Sequence, residues 1–449
     1  MLPVHSARQA GVTLIELIIA MVLGLLVAGG IITIFISTSS SSRVQTQLAS
    51  LQEGGRFAIT RMKGDLQMAN GQYCSNTGGV AKPAAAQVFL DGLRAPKVYV
   101  KGNTGLTNAM ADVTTIMGAS GYTPAPTTAP YTFPSFLSMR GYECAKTGTC
   151  LPTAPAAAVV PGPGKTVGKR VNGADILTVR YVSSSRGWAV GGSATIATTG
   201  STAAITSITL ATLASTGEPP ANDFASGHLA MLADCSGAQI FPVTVAGSSS
   251  TSAVLTPVLA PTSLGTPTAQ PPQSAPKLFD FNRDYQTVTY YLRVVDAGNG
   301  QTTGALIRRV NGGTAGPGGS EDELVRGVER MDFRYGVQDA DGNVRFLTAD
   351  KVDAATGITC PPAEPSALTT KGCLWRAITS IEVHLLMDGQ VPLPTLTTDE
   401  LKYSYSQDNS GALAAPTAHA IQPFADQGFT TAMLRREFIA VVAVRNYNP

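Results

Sequence analysis

Charge is scarce in this chain. Lys, Arg, Asp and Glu make up 14% of its 449 residues, against roughly 25% in an average soluble domain. The formal net charge is only +2, so no strong overall field recruits nucleic acid or an anionic membrane surface. Beyond residues 12–36 there is no second long apolar run, which argues against a multi-span membrane protein. The six cysteines form no CxxC pair, the spacing that a zinc site or a redox motif uses. The four histidines, His5, His228, His384 and His419, show no HExxH or HxH spacing. His384 sits in an apolar strand-like stretch and reads as a packed or hydrogen-bonded residue rather than a ligand. No GxSxG occurs, and the GKT at 164–166 follows Val159 where a P-loop needs Gly. Asp339, Asp341 and Asn343 match a fragment of a calcium loop but lack its closing Glu, and they read as a turn. No catalytic residues, metal ligands or cofactor site are assigned.

What the chain does have is concentrated at its start. Residues 1–11 (MLPVHSARQAG) are polar and slightly basic, and VTLIELIIAMVLGLLVAGGIITIFI follows at 12–36. As a helix this run spans about 37 Å, enough to cross a hydrocarbon core of about 30 Å with tilt. A secretory signal ends in small residues after its apolar core; here the small residue, Gly11, precedes the core. Cleavage after Gly11 would remove the leader and keep the anchor. A basic leader before the first span favours the start inside and the bulk outside. Glu16 lies five residues into the retained segment, where a carboxylate is costly and is usually paired or functional.

Gly11-Val12-Thr13-Leu14-Ile15-Glu16 followed by an apolar helix resembles the N-terminus of a type IV prepilin. The resemblance implies cleavage between Gly11 and Val12 by the prepilin peptidase and N-methylation of Val12. It also implies that Glu16 pairs with the new N-terminal amine of a neighbouring subunit. Val12 departs from the commoner Phe at the first mature position, and the apolar half lacks the Pro of many major pilins. Residues 37–70 continue as an amphipathic helix. Val44, Leu48, Leu51, Ala58, Met62 and Leu66 form one stripe of period 3.6. Ser37–Ser42 and Gly54-Gly55 are low-propensity positions and read as flexible points. Arg56, Arg61 and Lys63 give the helix a basic, solvated edge.

LQEGGRFAITRMKGDLQMANGQYC (51–74) is similar to the corresponding stretch of the PilW family of minor pilins. DILTVRYV (175–182), HLAMLADCSGAQIFPVT (228–244), TYYLR (289–293), LVRGVERMDFRYGVQDADG (324–342), LWRAITSIEVHLLM (374–387) and RREFIAVVAVRN (435–446) match in order. These segments are rich in β-branched and aromatic residues, as strands are. Two hairpins stand out, one across residues 338–343 and one joining 287–295 to 304–310. The fold expected is α+β and type IV pilin-like. A long N-terminal helix, with an apolar membrane half and an amphipathic half, packs on a mainly antiparallel β-sheet head spanning 71–449. Soft Gly/Ala/Pro/Thr-rich inserts near 76–170 and 246–276 read as surface loops, with an accessory subdomain around Cys144 and Cys150 as the alternative.

Six cysteines allow 15 pairings. Cys144–Cys150 and Cys360–Cys373 are local, which leaves Cys74 with Cys235. Disulfides fit an oxidising compartment. The resemblance implies a structural and initiating subunit of type IV pilus assembly in a tip or priming complex, not an enzyme. Its partners would be other minor pilins, the major pilin, the prepilin peptidase, the inner-membrane assembly platform and a tip-associated adhesin. It would sit in the inner membrane, head periplasmic, before assembly and in the extracellular pilus after it. The alternative is the bulky minor pseudopilin of a type II secretion system, which shares the same N-terminus.

Overall fold

The structure is a computed structural model. It describes residues 11–71, 73, 81–84, 87–90, 96–101, 106, 122, 126–183, 185–200, 204–213, 217–233, 238–259, 276–298, 300–312, 318–338, 343–355, 357–358, 371–408 and 411–445. A single helix, α1 (Leu14–Met68), runs 55 residues, or about 82 Å at 1.5 Å per residue. It is continuous through Ser37–Ser42 and through Gly54-Gly55. The expected flexible points are therefore helical. Helix formed on both sides continues across them, because extending an existing helix is easy once its nucleus has formed. Past the helix end, Asn70 adopts φ 58° and donates its N–H to the Arg180 carbonyl at 2.9 Å, which turns the chain into the head.

The head carries 21 strands among the described residues. β1 (Ala81–Ala84) and β2 (Gln87–Leu90) form a hairpin. Short β3 (Lys97–Val98) and β4 (Tyr131–Thr132) pair with each other. Next come β5 (Met139–Cys144), β6 (Cys150–Leu151) and β7 (Ile176–Val182). A second group is β8 (Trp188–Ala189), β9 (Ala194–Thr199), β10 (Ala204–Ala211), β11 (Leu229–Ala233), β12 (Ala238–Ala246), β13 (Ser252–Pro257) and β14 (Lys277–Asp280). The C-terminal group is β15 (Tyr285–Gly298), β16 (Gln301–Asn311), β17 (Ser320–Arg326), β18 (Val328–Gln338), β19 (Val344–Leu347), β20 (Ile378–Asp388) and β21 (Arg435–Ala443).

Three large sheets result, ordered β17-β16-β15-β7-β5-β6, β19-β18-β20-β21, and β8-β14-β11-β12-β13-β10-β9 with β3 and β4 attached at β12. Among these named strands every pairing except β3 with β12 is antiparallel. The two expected hairpins are β15–β16 and β18–β19. The Asp339–Gly342 turn itself lies outside the described residues.

β7 is buried along its whole length, because both faces of its sheet are covered. Leu177, Val179, Tyr290, Leu292 and Leu306 face the main core with α1, while Ile176, Tyr142, Tyr291 and Ile307 face a second cluster. That arrangement explains the near-continuous apolar runs of these strands, as opposed to strict alternation. The main core joins α1 to all three sheets. A separate core, with Trp188, Ile208, Leu210, Phe241, Val243 and Leu255, is built from strands of the third sheet.

Parts of the stretches read as soft loops are in fact structured. β13 lies inside 246–276, and Tyr122, Tyr131, Phe133 and Phe136 enter the main core. Cys144 and Cys150 sit at the edge of the six-stranded sheet on β5 and β6 rather than in a unit of their own.

Candidate functional site

The first turn of α1 is built from Thr13 and Glu16. Thr13 is the N-cap; its hydroxyl oxygen accepts from the Glu16 N–H at 3.4 Å. In return Glu16 Oε2 accepts from the Thr13 backbone N–H at 3.0 Å and from its hydroxyl at 2.9 Å. This reciprocal capping box satisfies helix-start donors that would otherwise be unpaired. Thr-x-x-Glu ahead of an apolar run is its signal in sequence. Thr13 stands in the Gly11–Glu16 sequence motif without an assigned role, and the cap supplies one. Gly11 and Val12 are exposed in the chain just before the cap, and a Cβ on Gly11 would meet no described residue within 4 Å. From Val12 to Ile36 the large apolar side chains are exposed on every side of the helix. Among the described residues this is the one helix long and apolar enough to cross a membrane. A fully apolar, uncovered half-helix is stable in lipid or among like helices and not in water.

The other half of α1 is seated in the head. Leu51, Gly55, Ala58, Met62, Asp65 and Leu66 are its buried residues. A Cβ on Gly55 would lie 2.5 Å from the Phe438 ring of β21, and one on Gly54 would lie 3.1 Å from Val325 Cγ2 of β17. These glycines let the sheets approach the helix closely.

Asp65 is a carboxylate on this buried stripe, three residues after Met62. Arg308 of β16 holds it with two bonds, Nε to Oδ2 at 2.6 Å and Nη2 to Oδ1 at 3.1 Å. The hydroxyls of Tyr181 and Tyr290, on β7 and β15, donate to it at 2.9 and 2.5 Å. Burial pushes the Asp65 pKa up, but the bonds from Arg308 and Tyr290, the Arg308 charge and the Tyr181 bond outweigh it and hold the pKa below the ordinary value. The sequence reading missed this clamp. The available signal was a charge at a stripe position.

A second clamp fastens β21, the strand against α1. Arg435 donates from Nε and Nη2 to Glu329 of β18 at 2.6 and 2.8 Å, and both side chains are fully buried.

The remaining sequence-predicted residues are dispersed. Cys144 and Cys150 are disulfide-bonded to each other. Cys373 is disulfide-bonded, and Cys360, Cys74 and Cys235 lie outside the described residues, as does His5. His384 is buried, with Nδ1 3.0 Å from Glu437 Oε1 and hydrogen-bonded to Ser406. His228 pairs with Asp280, and His419 with Asp408. Lys165 of the GKT stretch donates to the Ala425 carbonyl. Arg56, Arg61 and Lys63 are exposed.

An exposed apolar half-helix, capped through Thr13 and Glu16 and continued into a β-sheet head, is the architecture of a membrane-anchored, pilin-like subunit. Residues 6–32 match the family model of the prokaryotic N-terminal methylation motif. Residues 289–446, from β15 to the end of β21, match the model of the type IV pilus-assembly protein W. Over these two segments, which together make up less than half of its length, the chain is similar to type IV pilins of the PilW family. A type IV-like pilin from Thermus thermophilus is similar at 12% identity with a TM-score of 0.18, over 37% of this chain and 70% of that one. A comparison with curated proteins finds no match. The third sheet, β8 to β14, falls outside both matched segments.

Proposed function

We propose that this protein is a minor pilin that acts as a structural and initiating subunit of type IV pilus assembly. The observation that carries this reading is the uncovered apolar half of α1 beginning immediately after Gly11, continuous with a part clamped into the head. In this reading the prepilin peptidase cuts between Gly11 and Val12, Val12 is N-methylated, and the protein waits in the inner membrane with its head in the periplasm.

The cap gives Glu16 two alternating sets of partners. In the isolated subunit Thr13 satisfies it through one N–H and one hydroxyl. On assembly the ammonium of a neighbour's first residue replaces them. A charged partner in a low-dielectric environment is worth more than a neutral donor, so the exchange favours subunits in register. Asp65 and Arg308 then transmit the helix position to the head.

Partners in this reading are other minor pilins, the major pilin, the assembly platform and a tip-associated adhesin. A head of about 380 residues crowds a packed shaft, which favours the tip. Immunogold labelling of filaments tests this: label confined to filament ends supports the tip position, and label along the whole shaft refutes it. Loss of surface filaments in a deletion strain, restored by the wild-type chain but not by Glu16→Ala, supports the initiating role. Unchanged filaments with impaired protein secretion would point instead to the type II secretion pseudopilin.

A further inference from the structure

The three large sheets end differently. The outer strand β17 carries Glu321, Asp322, Glu323 and Arg326; β19 carries Arg345; β21 begins Arg435-Arg436-Glu437 and lies against α1 at Phe438. Charges on an edge strand, or a helix beside it, are how proteins stop their sheets from adding foreign strands. Of the end strands of these sheets longer than two residues, β9, Ala194-Thr195-Ile196-Ala197-Thr198-Thr199, alone has neither charge nor proline; β6 and β8 are uncharged but only two residues each. From Gly187 to Gly217 there is no Asp, Glu, Lys, Arg or His at all. Its inner edge pairs with β10, Thr195 opposite Thr209 and Ala197 opposite Ser207. Among the described residues no named strand pairs with its outer edge; Val190 bridges Ala194 at its start, with the Gly191 N–H bonded to the Ala194 carbonyl at 2.9 Å, which leaves Thr195–Thr199. Thr195, Ala197, Thr198 and Thr199 are exposed.

We propose that β9 is a docking edge for a second copy of this chain, the two β9 strands pairing antiparallel about a two-fold axis at Ala197. The sequence is suited to its own reverse. Thr195 then faces Thr199 at both ends, Ala197 faces Ala197, and Ile196 faces Thr198. Cross-strand Thr–Thr pairs stabilise antiparallel sheets, and a two-fold contact uses the same patch on both subunits. The composition matches that of β10, the strand β9 already accepts on its other side. No like charges oppose the approach. This inference rests on the sheet edge alone and does not depend on the pilin reading.

Ala197→Cys tests it in the full-length protein in its own membranes. Cα atoms of directly opposed residues lie about 4.5–5.5 Å apart, within disulfide reach. Mild oxidation is expected to give a reductant-sensitive band at twice the chain mass that contains only this chain. Adding Thr195→Lys and Thr199→Lys places lysine opposite lysine at both ends and should cut that band at least tenfold. Adding Thr195→Lys and Thr199→Glu places lysine opposite glutamate and should restore it. All three positions are exposed, and recovery in the charge-paired variant separates a broken contact from a broken fold. No dimer from Ala197→Cys, equal yields in all three backgrounds, or a band containing a different polypeptide would each overturn the proposal.

Discussion

Asp65→Ala removes the acceptor at the centre of the helix–head clamp. Arg308 is then left nearly buried, with Asp322 at 3.7 Å as its remaining carboxylate, and the Tyr181 and Tyr290 hydroxyls lose their partner. Deleting one member of a buried ion pair costs about 3–5 kcal/mol. Residual exposure of Arg308 and the nearby Asp322 place this case at the lower end, ~3 kcal/mol. Unfolding entropy of about 2.1 cal/mol/K per residue over the roughly 380-residue head gives about 0.8 kcal/mol/K, so Tm should fall by ~4 °C.

The effect depends on pH with a definite sign. Because the folded-state pKa of Asp65 is depressed, its contribution is full above the unfolded value of about 4 and is lost as pH falls through the lower folded value. Scanning calorimetry of the detergent-solubilised protein should therefore show the gap to wild type intact at pH 7 and narrowing below about pH 4. Asp65→Leu combined with Arg308→Met should be less damaging than Asp65→Ala, since no buried charge is orphaned. A Tm change under 1 °C at pH 7, or a gap that widens on acidification, would refute the clamp.

Other substitutions probe the seat of the helix and the buried charges. Gly55→Ala forces the Phe438 ring aside and should cost about 1–3 kcal/mol despite alanine's better helix propensity. Gly64→Ala meets nothing within 4 Å and should gain about 1 kcal/mol; thermal melts that rank the two in the opposite order would contradict the packing described. Burial, with the neighbouring Glu329 charge, pushes the Asp388 pKa up to about 7. Its ionisation therefore subtracts stability as pH rises from about 4 towards 7. Asp388→Asn should be more stable than wild type at pH 8 and lose that advantage at pH 4. Replacing both Cys144 and Cys150 by Ala, which opens a disulfide of sequence separation 6, should cost about 2 kcal/mol in denaturant titrations, as loop-closure entropy for so short a loop implies.

The periodic parts of the fold were legible in the sequence. A 3.6-residue stripe located the seated part of α1 from Leu51 onward, although Leu48 of that stripe is exposed, and turn residues between β-branched runs located β15–β16 and β18–β19. What the sequence concealed was anything decided by a distant neighbour. Gly54-Gly55 reads as a weak point by local propensity, yet β21 and β17 turn it into a close-packed contact. Asp65 looks like a solvated charge until Arg308, 243 residues away, is brought beside it. β9, β10 and β13 are made of Thr, Ser, Ala and a few aliphatics, so their alternation is faint, and only their pairing around Phe241 and Leu255 makes them strands. At the N-terminus the situation is reversed. Gly11, Val12 and Glu16 are adjacent in sequence, and the cap they adjoin is a local structure that Thr13 completes without help from the head.

The central claim is that this chain is processed and enters a filament. Mass spectrometry of sheared surface filaments, searching for the peptide that begins at Val12 with and without N-methylation, tests it most directly. The account predicts that peptide, methylated, at a low ratio to the major pilin. Detection of only chains that retain residues 1–11 would contradict it.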